Sequence, residues 1–407
     1  MRRPALVAHL HGTDDSHSVT TLELFFDLVF VFALTQITTL MARDPTWRGA
    51  AHGLVLLALL WWAWCSYAWL GNQAKADEGL IRAALIVTMG AMFVVALAIP
   101  ESFGDGPGGP FAPFVLAACY AVARVTHLAV YLVAAGSDVE LRRQLLITAI
   151  PVGMACVLLV IGGAVGPPAQ SLLWAAALFV DYSGIWLTGT SGWRLPSAKH
   201  FAERHGLIVI VALGESVVSI GVGVADRPLS WAVLVASLVG LGVSVCLWWI
   251  YFDVVALVAE RVLLRKRGEQ RSRLARDSFT YLHFPMVAGV VYLALGMKEV
   301  LGYVAGAGGH TLSDPLATMP LVSMYAGVAA YLFALASLRW RNLGRPNVSR
   351  LVVSVGVLLV IPVVAVVPAL ASLGVLLAVL SGLVTFEATR HAEARQAIRH
   401  AEHQAPA

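Results

Sequence analysis

Runs of about twenty apolar residues, separated by short polar stretches, recur along nearly the whole chain. A helix of that length crosses the roughly 30 Å hydrocarbon core of a bilayer. The pattern predicts twelve such spans, near 22–41, 49–70, 80–100, 112–135, 144–164, 169–190, 203–224, 229–257, 277–297, 317–338, 351–371 and 373–389. The stretch 351–389 is almost continuous, broken only by Pro362, Pro368 and Ser372, and reads either as two spans or as one long broken helix. The expected fold class is an all-α polytopic membrane protein with no sizeable soluble domain.

Composition agrees with the pattern. Hydrophobic residues make up 59% of the chain and charged residues only 13%, outside the usage of soluble globular proteins. The basic residues cluster on alternate sides of the spans, and positive charge collects in cytoplasmic loops. Arg2, Arg3, Lys75, Arg82, Arg142, Arg143, Arg194, Lys199 and Arg204 fall on one side, as do most basic residues after 258. Arg43, Arg48, Arg227 and Lys298 fall on the other, and Arg124 sits inside a span. Both termini are then cytoplasmic. The expected organisation is a tail at 1–19, a first six-helix half at 20–192, a second half at 193–391 containing a basic cytoplasmic loop at 258–276, and a second tail at 392–407. The net charge of +4 is a topology signal and implies no nucleic-acid partner. Cys65, Cys119, Cys156 and Cys246 lie in spans without paired spacing and read as small core residues. The N-terminus lacks the form of a cleavable signal, so the first span is its own insertion signal.

Aligning Ala33-Leu34 with Ala212-Leu213 superimposes apolar runs, and Trp61-Trp62 and Trp248-Trp249 follow at nearly the same offset. An internal duplication of six spans per half is the expectation, with a parallel repeat and a central polar site.

Charge inside the spans carries the candidate chemistry, because each acid at bilayer depth costs roughly 2.5–3.5 kcal/mol. Glu23 and Asp27 stand about 40° apart on the first helix, with Thr38 returning to the side of Asp27. They either bind a cation or relay protons, or else Glu23 marks the helix entry and Asp27 pairs with a base to fix packing. Span seven carries Glu203, Arg204 and His205 at its entrance and Glu215 further in, beside Gly214. Tyr120, Arg124, His127 and Tyr131 recur as i, i+4, i+7 and i+11, a single polar stripe down span four. Arg124 is the natural counter-ion for Asp27, Glu215, Asp181 or Asp253, or the ligand of an anionic substrate. His283 with Pro285 suggests a locally opened helix whose freed carbonyls could coordinate an ion, or a histidine satisfied between helices. Asp181 and Asp253 complete the acidic set.

Metal and nucleophile readings are poor. His200 and His205 are about 140° apart on a helix and do not both ligate with Glu203, and His9, His11 and His17 with Asp14 and Asp15 read as a solvated tail. Residues 104–109 form a glycine-rich external turn without the strand and helix context of a phosphate loop. No cofactor is expected.

Four motifs also occur in order: Glu23-Leu-Phe-Phe-Asp27, His200-Phe-Ala-Glu203-Arg204-His205-Gly206 through Gly214-Glu215-Ser216, Trp248-Trp249-Ile-Tyr251-Phe252-Asp253, and Tyr281-Leu-His283-Phe-Pro285 through Gly289. Together they resemble the bacterial low temperature requirement protein A family. The resemblance implies a multi-pass plasma-membrane protein associated with growth in the cold. A fainter likeness links Phe25-Phe26-Asp27 to the Phe-Ser-Asp first helix of the lysosomal potassium channel family. Phe26 replaces the serine and no arginine precedes the motif by one turn, so potassium selectivity does not carry over.

The leading expectation is an acid-rich interior lined by spans one, four, seven and nine that binds or passes a small cation, a proton or a proton-coupled solute. Asp27 and Glu215 would be its ligands, with Glu23, Asp181 and Asp253 completing the acidic set. Arg124 and Arg204 would supply counter-charge, and His127, His205 or His283 a relay. A lipid-modifying intramembrane enzyme and a non-transporting stress-response protein are the alternatives. The bilayer is the one expected partner, and the oligomeric state is open.

Overall fold

The structure, a computed structural model, describes residues 18–73, 79–103, 111–225 and 227–390. The tail acids and histidines before residue 18, the turn at 104–109 and the stretch 392–407 lie outside the described residues.

Every long element is a helix. In chain order these are α1 (Thr21–Arg43), α2 (Trp47–Gly71), α3 (Gly79–Ala98), α4 (Phe111–Ala134), α5 (Val139–Val165), α6 (Ala169–Thr188), α7 (Ala198–Gly223), α8 (Trp231–Phe252), α9 (Val255–Arg265), α10 (Gly268–Leu274), α11 (His283–Val304), α12 (Thr318–Leu343), α13 (Val348–Leu359), α14 (Ile361–Val364) and α15 (Ala369–Arg390). A π-helical turn, Ala275–Tyr281, joins α10 to α11. Helix entries carry the expected chemistry: Thr20, Thr46, Asp138, Ser230 and Asn347 each accept a hydrogen bond from a backbone N–H of the first turn.

Among the described residues, eleven helical stretches are long and apolar enough to cross a membrane, one fewer than the hydrophobic runs predict. The difference lies at 351–371, where α13 and α14 break at Val360, just ahead of Pro362. Proline lacks the N–H of a continuing helix and its ring crowds the preceding turn. The broken segment still runs back along α12. At one end Asn347 and Arg350 bond Glu387 of α15, and at the other the Ala369 N–H donates to the Asp314 carbonyl.

The basic stretch 258–276 is helical in α9 and α10 with a break at Lys266–Arg267, and α10 runs through the π turn into α11. Pro285 has no N–H to return to the Tyr281 carbonyl, and the turn before it is the one that widens.

Packing divides the chain into two compact units. One takes in residues up to Val211 together with Leu263–Phe284, and the other Ala212–Val262 with the residues from Pro285. In the second unit, α11 and α12 cross at glycine. A Cβ on Gly289 would lie 2.3 Å from the Gly327 carbonyl oxygen, and one on Gly327 would lie 2.4 Å from that of Gly289. Small residues let backbones approach this closely where lipid supplies no hydrophobic drive between helices.

In the first unit the outward faces are greasy. On α1, Phe25 and Leu28 are 59% and 58% exposed, whereas Glu23 and Asp27 are 1% and 3% exposed. The helix therefore turns its carboxylates inward and its apolar side chains outward, the arrangement that spares charge from acyl chains.

Candidate functional site: a buried carboxylate, histidine and arginine cluster

The site is assembled entirely within the first unit, from α1, the C-terminal end of α2 and the first turns of α7. The segment leading into α7 is pinned before the helix begins. Arg271 donates to the Leu195 and Pro196 carbonyls, Ser272 to that of Trp193, and Asn72 to that of Ser197. This anchoring sets the rotation of α7 and presents His200 and Arg204, one helical turn apart, to α1.

Arg204 is the organising charge. Its Nη1 donates to Asp27 Oδ2 at 2.9 Å and to the Glu23 carbonyl at 3.0 Å, and its Nε lies 3.8 Å from Glu23 Oε1. Trp64 Nε1 donates to the other Asp27 oxygen at 2.8 Å, and the Trp64 ring lies under the guanidinium, 5.3 Å from centroid to carbon. Glu23 closes a capping box with Thr20 and meets His200 Nε2 at 2.9 Å. Gly71 makes room for that contact, because a Cβ there would fall 2.7 Å from Glu23 Oε1.

The protonation of His200 follows from its far side. The Asn72 amide is oriented by Ser197, whose N–H donates to Oδ1 at 3.2 Å while Nδ2 donates to the Ser197 carbonyl at 2.6 Å. That leaves Nδ2 facing His200 Nδ1 at 3.3 Å, so Nδ1 accepts. Nε2 then carries the ring proton and donates it to Glu23.

Sequence reasoning placed Arg204 at the entrance of span seven and named it among the counter-charges, and set His200 aside as a metal ligand. Arg204 is 1% exposed and His200 is fully buried. Trp64 and Asn72 were also missed. A lone asparagine closing an apolar helix was the one available signal for Asn72, and nothing in the spacing marked Trp64 among the tryptophans of α2.

His205 and His283 sit beside this cluster in an aromatic box. His205 packs edge-on to Trp64 at 5.0 Å and to His283 at 5.2 Å, and Phe279 stacks on His283 at 5.2 Å. His205 Nδ1 donates to the Phe201 carbonyl and His283 Nδ1 to that of Ser278, each at 2.8 Å. His205 Nε2 is buried with no hydrogen-bond partner among the described residues. Within the widened turn ahead of Pro285, the Thr280 carbonyl accepts from Trp61 Nε1 at 2.8 Å.

A second network in the same unit takes the polar stripe of α4. Arg124 Nη2 holds both oxygens of Asp181 on α6 at 3.0 and 3.1 Å, and its Nη1 donates to Ser66. Of the four carboxylates open to Arg124, α6 supplies the one it reaches. Tyr120, His127 and Tyr131 are buried along the stripe as the periodicity predicts. Between the two networks stand Phe26 and Tyr67, 5.5 Å apart, with Tyr67 donating to the Ala123 carbonyl and packed edge-on to His127. Spans one, seven and nine thus share a site, while span four pairs with span six.

Glu215 and Asp253 belong to the other unit. Glu215 is fully buried and accepts from Ser219 at 2.9 Å. Asp253 follows α8 and lines a cavity with Arg339, Arg350 and Glu387. Among the described residues, no three histidine, cysteine or carboxylate side chains converge as a metal would require.

With this geometry in place, comparison with known proteins is informative. The profile of the bacterial low temperature requirement A protein matches residues 18–385. The chain belongs to the bacterial low temperature requirement A family. An uncharacterized protein of Rhizobium meliloti (strain 1021) is 30% identical over 289 residues, covering 67% of this chain and 67% of that relative. No solved structure matches. Glu23, Asp27, His200 and Arg204 all lie inside the stretch shared with the low temperature requirement A family, as does the Arg124–Asp181 pair.

Proposed function

We propose that this multi-pass protein acts in the bacterial plasma membrane by taking up a proton or small cation at the Glu23–Asp27–Arg204–His200 cluster and passing it along the first unit. One observation carries the reading: two buried carboxylates converge on a single guanidinium, and one of them also meets a buried histidine. Charge held within a span is costly, and taking up a cation or proton among these groups offsets it. The Glu23–His200 contact is the place to store a proton, since either partner can hold it. His205 and His283 extend the titratable groups beyond the cluster, and intramembrane ionisable chains of this kind mark ion and proton pathways.

The test is flux. Purified protein in liposomes loaded with a pH-sensitive dye should acidify the lumen under an imposed pH gradient or membrane potential. Glu23→Gln and Asp27→Asn should abolish the signal while the protein still elutes as a single folded species. Wild-type protein that moves neither protons nor alkali cations, or variants that conduct normally, would remove the proposal.

A further inference from the structure

The first unit contains a cavity that the ion-binding reading leaves unused. It lies between α2, α4, α5 and α6 and the widened turn, and about 50 Å³ of it is open to the centre of a water-sized sphere. Its walls include the indoles of Trp62, Trp69 and Trp193, so its surface favours an apolar, aromatic body.

Three of its lining side chains are polar, buried and unsatisfied. Both ring nitrogens of His127, the Nε of Arg124 and the hydroxyl of Thr148 have no hydrogen-bond partner among the described residues. His127, Arg124 and Thr148 are 5%, 2% and 3% exposed, so bulk water does not satisfy them. A buried polar group without a partner is rare in folded proteins and calls for an explanation, of which a missing ligand is one. The unused groups are mainly donors: the Arg124 N–H, one imidazole N–H and one hydroxyl. What they lack is acceptors.

Charge narrows the ligand further. Arg124 is already neutralised by Asp181, and Arg276 at the cavity by Asp277 at 2.8 Å. An anion entering here would find no free positive charge, whereas a neutral carbonyl oxygen would find donors at no electrostatic cost.

We propose that this cavity binds a neutral, planar carbonyl compound of the quinone type, its ring against the indoles and its carbonyl oxygens accepting from His127, Thr148 and Arg124. The assignment does not depend on ion passage, and it carries no redox step.

Three bicyclic probes of similar size distinguish the possible ligand chemistries in calorimetric titrations of the purified full-length protein. They are 2,3-dimethyl-1,4-naphthoquinone, which has no free position for thiol addition by Cys65, naphthalene, which has no acceptor, and 2-naphthoate, which is anionic. The quinone should bind saturably at one site, with naphthalene at least tenfold weaker, equivalent to about 1.4 kcal/mol, and naphthoate weaker still. Thr148→Val, which keeps the shape of the side chain, and His127→Phe should each weaken quinone binding about tenfold and leave naphthalene unchanged. Equal affinity for quinone and naphthalene would reduce the cavity to a greasy void and overturn the assignment. So would preferential binding of naphthoate, no binding of any probe, or quinone affinity that ignores the Thr148 substitution. The probe series on wild-type protein stands even if His127→Phe fails to fold.

Discussion

Replacing Arg204 by methionine is the sharpest perturbation of the buried cluster, because it keeps an unbranched stem and removes the charge and every donor. At 2.9 Å from Asp27 and an effective dielectric of about 20, the guanidinium–carboxylate attraction is roughly 6 kcal/mol. Desolvating both groups offsets much of this. The expected net loss on removing one partner of a buried pair is therefore about 3–5 kcal/mol. Arg204→Met leaves the buried Asp27 carboxylate beside Glu23 without its counter-charge, whereas the double variant with Asp27→Asn holds no unpaired carboxylate at that position. The double variant should then recover about 2 kcal/mol relative to Arg204→Met, a coupling typical of contacting charged groups. Equilibrium unfolding in mixed micelles titrated with SDS measures all four species. Additive losses would show that the guanidinium does not neutralise Asp27 and would refute the account of the site.

Other perturbations test separate parts of the structure. Gly71→Ala places a methyl 2.7 Å from Glu23 Oε1, and should displace that carboxylate from His200, cost about 1–3 kcal/mol and reduce flux, read in the same liposome assay. Gly289→Val pushes against the Gly327 carbonyl in the second unit, where backbone cannot yield as a side-chain end can, and should lower stability by about 1–3 kcal/mol or more in the SDS titration without altering quinone binding in the first unit. Outside the spans, the Thr311 amide and hydroxyl donate to Asp314 and hold its carboxyl below the ordinary 3.8. A depressed folded pKa stabilises this turn above the unfolded pKa and loses the contribution as pH falls through the lower, folded value. Protection of the Thr311 amide, its exchange rate relative to the intrinsic rate at each pH, should therefore fall as the solution is acidified through the folded pKa, and protection that does not change with pH would contradict the assignment.

Much of the architecture was legible in the one-dimensional pattern. Eleven of the expected crossings coincide with long apolar helices, and the doubtful region at 351–371 is where proline breaks the twelfth. The inward placement of Glu23, Asp27, Asp181 and Glu215 was equally legible, since a carboxylate in an apolar run has few other places to go. The i, i+4, i+7, i+11 stripe on α4 likewise marked residues that are buried together. What stayed open was the depth of Arg204. It stands next to Glu203 and His205 near a run of basic residues, and at that position a solvated, topology-setting arginine and a buried counter-ion look alike.

The sequence by itself determined that this chain is a bundle of membrane-spanning helices carrying charge in its interior, because hydrophobicity, span length and the cost of exposing a carboxylate to lipid are local properties. The tertiary structure alone decided which charges meet. Arg204 finds Asp27 across 177 residues of chain, and Arg124 takes Asp181 in preference to three other acids. The axial rotation of each helix selects those partners, and it is set by distributed contacts: a pinned segment before α7, a glycine beside Glu23 and a π turn ahead of Pro285. No short motif encodes such a rotation, so the pairing that defines the site emerges only when the helices pack.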